Sequence, residues 1–213
     1  LVLKLNDNDM TIESSDEYDV EEKVYSITPV AEDSSLIQFI DGSVVRFDVG
    51  SGLSPWTVAS TGDELKYPTV CTTMSVHKTS DDRIKVIGLN DRHRLYVDST
   101  EIANNVTSFV VHSDFLMATT TKHTLRCLPL NCLNEDTNGG HLRISDAEWI
   151  HESSRTLERG SKLVTVVPKH TQTVLQLPRG NLEVIHPRAL ALCIVKERLD
   201  AKLYAETFQI LRK

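Results

Sequence analysis

The sequence has no apolar run approaching the ~20 residues a helix needs to cross a bilayer, and no short apolar stretch placed like a secretory leader. A soluble, intracellular chain with no membrane contact is therefore expected. Cysteine is sparse: Cys71, Cys127, Cys132 and Cys193 are scattered rather than set at framework spacing, so they read as free thiols. His123, Cys127 and Cys132 lack a convincing fourth ligand and a paired Cys-x-x-Cys, which argues against a zinc centre. Positive charge is also in deficit, with 23 basic residues against 30 acidic ones, so the chain as a whole has no electrostatic footprint for a polyanion. Nucleophile-elbow, metalloprotease and glycine-rich phosphate-loop patterns are absent, as is a cysteine triplet for an iron–sulfur cluster. No catalytic residue, cofactor or metal is expected.

From Val24 to Leu177 there are short runs rich in Val, Ile, Thr and aromatics, separated by turn residues. Leu36 to Ile40 and Val44 to Val49 flank Asp41-Gly42; Ile84 to Leu89 and Leu95 to Val97 flank Asn90-Asp91. Phe115 to Ala118 and Thr124 to Leu128 flank Thr121-Lys122; Leu163 to Val167 and Val174 to Leu177 flank Lys169-His170. These are four hairpins, and Asp-Gly predicts a tight primed turn with positive φ. A further strand precedes each: Lys23 to Pro29, Thr69 to His77, Val106 to His112 and Glu148 to His151.

The turns begin at positions 41, 90, 121 and 169, a mean spacing of about 43 residues that matches one four-stranded blade of a WD-type β-propeller. No Trp-Asp closes a unit and no Gly-His opens one, so spacing and hairpins carry the assignment; a two-sheet sandwich is the rival. The fold expected is mainly β: about four blades of an incomplete ring over residues 1–185, then an α-helical hairpin over 186–213. Because exposed strand edges are avoided in natural proteins, further blades of the same protein are expected upstream. Leu1 to Leu5 begins as a strand without an initiator Met, and Phe208 to Lys213 reads as mid-helix, so a fragment is expected.

Asn6 to Glu22 carries Asp7, Asp9, Glu13, Asp16, Glu17, Asp19, Glu21 and Glu22 and is expected to be a solvated loop, with Ser14 and Ser15 as candidate phosphorylation sites. Asn131 to Ser145, with Gly139-Gly140, reads as a long connection.

At Pro178 the pattern changes. Pro178 ends one strand, Gly180-Asn181 suits a tight turn, Leu182 to Ile185 is a last short strand, and Pro187 suits the first turn of a helix. Leu192, Val195, Leu199 and Leu203 then recur at helical spacing, with Tyr204, Phe208 and Leu211 as a second row. A break near Leu199-Asp200, with Asp200 as N-cap, predicts two antiparallel helices that cannot bury their apolar face alone, the first repeat of an α-solenoid.

Three stretches of this region, Pro178-Arg179-Gly180-Asn181-Leu182-Glu183, His186-Pro187-Arg188-Ala189-Leu190 and Tyr204-Ala205-Glu206-Thr207-Phe208, together closely resemble the propeller-to-solenoid junction of the largest, scaffold subunit of the Elongator complex. The resemblance is one of motif over 172–213 and of architecture elsewhere. It implies the latter part of a second WD-type propeller and a non-catalytic scaffold role in modifying wobble uridines of tRNA. The chemistry would then reside in a separate acetyltransferase-like catalytic subunit, with other Elongator subunits as partners and tRNA reached through the complex. It also implies a dimerisation region and a basic tRNA-contacting tail beyond the C-terminal end of this segment, and a cytoplasmic and nuclear location. Arg179, Gly180, Asn181, Glu183, His186, Pro187 and Arg188 are the candidate junction or docking residues. A propeller–solenoid scaffold of a vesicle coat or of ciliary transport remains the alternative, because fold alone does not separate these.

Overall fold

The computed structural model describes residues 2–5, 12–20, 22–59, 61–79, 83–112, 115–130, 154–168 and 170–212. The Glu148 to His151 strand, the Asn131 to Ser145 connection and Cys132 lie outside them. By compactness the chain falls into two units, residues 1–57 with 62–70, and residues 58–61 with 71–213.

In the first unit, β1 (Val2–Leu5) and β2 (Ile12–Asp16) form a two-stranded antiparallel sheet in which Ser14 opposes Lys4 and Ser15 opposes Leu3. This corrects the loop expectation over residues 12–16 of the acidic segment, where strand pairing orders backbone that side-chain composition alone would leave solvated; residues 6–11 and 21 lie outside the described residues. A four-stranded meander follows: β3 (Val24–Ala31), β4 (Ser34–Phe39), β5 (Val44–Asp48) and β6 (Gly52–Pro55), paired in chain order. Ile37, Phe39 and Phe47 are buried together, with Tyr18 meeting Phe47 edge-on at 4.8 Å between ring centres.

The second unit repeats the meander: β7 (Cys71–Lys78), β8 (Ile84–Asn90), β9 (Leu95–Val97) and β10 (Thr100–Ala103) make one sheet. β11 (Val106–His112), β12 (Phe115–Thr120), β13 (Thr124–Pro129) and β14 (Arg155–Thr156) make the next. The last sheet has three strands, β15 (Lys162–Val166), β16 (Thr173–Gln176) and β17 (Leu182–Ile185). β11 lies beside β7 of the preceding sheet and β15 of the following one, so successive sheets meet through their first strands, as blades do. Two stacked sheets would not give this order, and the sandwich is excluded.

Side-chain alternation explains the packing. On β12, Leu116 and Ala118 join a core with Ile87, Leu89 and Val97 of the preceding sheet, while Met117 points the other way, to Leu163 and Leu175 of the following one. A middle strand buried on both faces reads as a continuous apolar run, which is what Phe115-Leu116-Met117-Ala118 is.

Helix α1 (Arg188–Asp200) follows β17, and α2 (Tyr204–Leu211) follows α1. The row that packs on the sheets is Ala189, Leu190 and Ile194, whereas Leu192, Leu199 and Leu203 of the sequence-derived row are exposed. Asp200 is the last residue of α1, not a cap: Leu203 occupies the N-cap of α2 without a side-chain bond. The break comes from a Schellman turn instead. Lys202 is left-handed (φ 60°), its N–H donates to the Leu199 carbonyl at 2.9 Å, and the Leu203 N–H donates to the Arg198 carbonyl at 2.8 Å.

Candidate docking surface and the turn face

The turn joining the second and third strands of each of the four larger sheets has one geometry, used four times. In the first, the Gly42 N–H donates to the Phe39 carbonyl and the Phe39 N–H to the Ser43 carbonyl, each at 3.0 Å, with Gly42 at φ 87°. The second has His93 at φ 62° bonded back to Asn90; the third has His123 at φ 59° bonded back to Thr120; the fourth has Gly180 at φ 86° bonded back to Leu177. These are three-residue loops whose last member is left-handed, which corrects the two-residue primed turn expected at Asp41-Gly42. The fourth equivalent turn is at Gly180, not at Lys169-His170: the Val167–Gln172 loop joins the first two strands of its sheet, so the sequence-derived spacing was one turn out of phase there.

In the first three of these sheets the chain then returns. The carbonyls of Gly42, His93 and His123 accept the N–H of Tyr67 (2.9 Å), Val106 (3.0 Å) and Leu157 (2.7 Å), each at or just ahead of the next strand. After Gly180 the chain forms β17 and then leaves as helix α1. This departure defines the junction.

The junction residues fall into two groups. Gly180, Asn181, His186 and Pro187 serve the local fold: the Asn181 carbonyl accepts the Leu177 N–H at 2.8 Å, and the Pro187 carbonyl accepts the Ala191 N–H at 2.9 Å. The His186 imidazole meets the buried Thr171 hydroxyl at 2.6 Å. Glu183 pairs with Arg155 of β14 at 2.9 Å, tying the last two sheets together at the surface. Arg179 and Arg188 are exposed and make no ion pair among the described residues. Ser14 and Ser15 lie on β2, in the other unit.

A second feature was not anticipated. His93 and His123, with Arg159 from the segment leading into β15 and Lys162 from the first position of that strand, line a cleft of about 230 Å³ that also includes Thr107, Thr119, Thr120 and Ser161. Thr119 is almost fully buried and shares its hydroxyl with Thr107 at 2.8 Å and with Ser108 at 2.5 Å; the Ser108 hydroxyl in turn accepts the Leu163 N–H at 2.8 Å. An adjoining cleft of about 420 Å³ shares His93, Thr107 and Lys162. Among the described residues, acidic lining is confined to Glu158 in the first and Asp91 in the second. No sequence motif marks these residues, because two of them converge through turns that share a geometry but not a local sequence.

Burial pushes the Cys127 thiol up to about 12, the state of an inert core cysteine. No group of three or more His, Cys, Asp or Glu suited to a metal occurs among the described residues.

Repeated four-stranded meanders, meeting through their first strands in the second unit and ending in a helical hairpin, define a β-propeller segment. The family model described as ELP1 N-terminal second beta-propeller matches residues 1–164. The chain belongs to this family, that of Elongator complex protein 1. It is 38% identical over 189 residues to Elongator complex protein 1 of Rattus norvegicus, covering 84% of this chain and 14% of that protein. It is 35% identical over 147 residues to the protein of that name from Saccharomyces cerevisiae, covering 64% of this chain and 11% of that protein. The chain thus spans about one-seventh of the length of the rat relative. Two solved structures, BBS1N in complex with ARL6DN and Kluyvelomyces marxianus Hsv2, each align at a TM-score of 0.50. Identity is 12% and 11%, covering 83% and 85% of this chain and 56% and 55% of those chains, a likeness of fold alone.

Proposed function

We propose that this chain is a non-catalytic scaffold segment of an Elongator complex, and that it supports wobble-uridine modification of tRNA carried out by a separate subunit. The family match over residues 1–164 carries the reading, since architecture by itself would serve a coat or ciliary-transport scaffold equally well. On this reading residues 1–185 are the closing blades of a propeller, residues 186–213 begin an α-solenoid, and the protein works in the cytoplasm and the nucleus. Other blades of the same protein, the other Elongator subunits and, through them, tRNA are its partners, and dimerisation belongs to a region beyond the C-terminal end of this segment.

Affinity purification of the tagged full-length protein followed by mass spectrometry tests this. Recovery of the acetyltransferase-like subunit in stoichiometric amount is expected; recovery of coat or ciliary-transport subunits in its place would overturn the assignment.

The exposed Arg179 and Arg188 form the proposed docking surface for the catalytic subunit, and Ser14 and Ser15 are proposed phosphorylation sites. Because neither guanidinium is tied up in an ion pair among the described residues, Arg179→Glu with Arg188→Glu is expected to leave the melting temperature within about 1 °C while reducing capture of the catalytic subunit several-fold. Unchanged capture with unchanged melting removes the docking role.

A further inference from the structure

We propose that the cleft framed by His93, His123, Arg159 and Lys162 binds the phosphate group of a phosphorylated serine or threonine on a partner protein. The first support is charge. In a chain with a net charge of −7, counted with histidine neutral, the cations Arg159 and Lys162 and the imidazoles of His93 and His123 line one small cleft with a single described acid, Glu158, and none of the four makes an ion pair among the described residues. Cations left unpaired around a concave, hydroxyl-lined site are suited to an oxyanion, to which charged donors bind about twice as strongly as neutral ones.

The second support is backbone strain. Gly42 and Gly180 occupy the left-handed place in the same turn elsewhere in the chain, so the turn itself asks for glycine. His93 and His123 hold that place instead, in a left-handed backbone conformation that side chains rarely adopt. Both are clamped through their backbone, by the bonds to Asn90 and Thr120 on one side and to Val106 and Leu157 on the other. Two imidazoles are thereby carried on stiff turns at the rim, and little ordering is left for a ligand to impose.

Size and lining select the ligand. A volume of about 230 Å³ accepts a single phosphate and its linking atoms rather than a length of polynucleotide, and among the described residues no Phe, Tyr or Trp lines the cleft to stack a base. The acidic chain around it would repel a long polyanion. A lone phosphoryl group presented on a peptide meets each constraint. The proposal is independent of the scaffold assignment above.

The test uses the full-length protein and N-acetyl-O-phosphoserine methylamide as probe, with binding followed by calorimetry and melting checked for every variant. Saturable binding is expected, absent for the unphosphorylated probe. Arg159→Ala with Lys162→Ala should weaken it about tenfold or more, and Lys196→Ala, on the exposed side of α1, should leave it unchanged. Should the double variant melt early, His93→Gly with His123→Gly provides a strain-free second pair with the same expected loss. Absence of saturable binding overturns the proposal, as does equal loss in Lys196→Ala. Inorganic phosphate binding as tightly as the probe would make the site one for free phosphate. A single-stranded oligoribonucleotide that binds more tightly than the probe, and loses that binding in the same variants, would make it an RNA site.

Discussion

Asp98 combines two costs. It is left-handed at φ 51°, and its carboxyl, largely withdrawn from water, is held above its ordinary value of 3.8, with burial outweighing the Val86 hydrogen bond and the Lys85 charge. It repays them by bracketing β8: its carboxylate accepts the Val86 N–H at 2.9 Å, and its own N–H donates to the Val86 carbonyl at 2.7 Å. An acid whose folded value lies above its unfolded one binds its proton more tightly in the native state. Its contribution therefore favours folding below pH 3.8 and declines as pH rises through the folded value. Asparagine keeps an acceptor for Val86, tolerates the left-handed backbone and carries no charge. Asp98→Asn is thus expected to melt at or above the parent temperature at about pH 7 and to flatten the stability–pH curve above about pH 4. Asp98→Ala strands the Val86 N–H and is expected to lose about 2 kcal/mol. Urea titrations between about pH 4 and pH 8 measure both; a parent curve that rises with pH through this range at Asp98's expense would contradict the sign.

At the scale of elements, the three-residue turn is the repeating device, and its four versions differ in what they tolerate. A Cβ on Gly42 would sit 2.3 Å from the Tyr67 carbonyl oxygen, on the residue that anchors the return of the chain, and at a φ side chains avoid. Gly42→Ala is expected to cost more than about 2 kcal/mol, and His93→Gly less than about 1, by thermal or chemical melting. The strands themselves were legible in the sequence because burial of one face imposes period-two alternation, and burial of both faces imposes a continuous apolar run, as on β12. The turns were less so. Asp41-Gly42 announces itself, whereas His93 and His123 adopt the same left-handed place with no residue signature, and the loop around His170 looks locally like its neighbours while joining a different strand pair. Asp200 illustrates the same limit in a helix: it has the chemistry of a cap, yet the Schellman bonds around Lys202 settle the boundary first. The change from strand to helix after Pro187 was readable from the residue pattern. The cleft was not, since its members come from β11, β12, two turns, the segment before β15 and the first residue of that strand.

At the scale of the molecule, what matters for a scaffold is whether the helical hairpin is welded to the sheets or merely tethered. Leu190 is fully buried, and with Ala189 and Ile194 it packs among Leu163, Leu175 and Ile185 of the last sheet and Met117, Leu125 and Cys127 of the one before. One helix row thus bridges two sheets, while Leu192 on the other side of α1 is 56% exposed. Leu190→Ala opens a cavity at the point where all three elements meet, and a change of that kind costs about 2–5 kcal/mol. A welded hairpin transmits the loss: amide exchange should accelerate in β16 and β17 as well as in α1. A tethered one would confine the acceleration to the helices, and Leu192→Ala should disturb neither by more than about 0.5 kcal/mol. Exchange on the two variants therefore separates a junction that fixes the direction in which the chain leaves the sheets from one that leaves it free, and only the first can hold partners at a set distance from the blades.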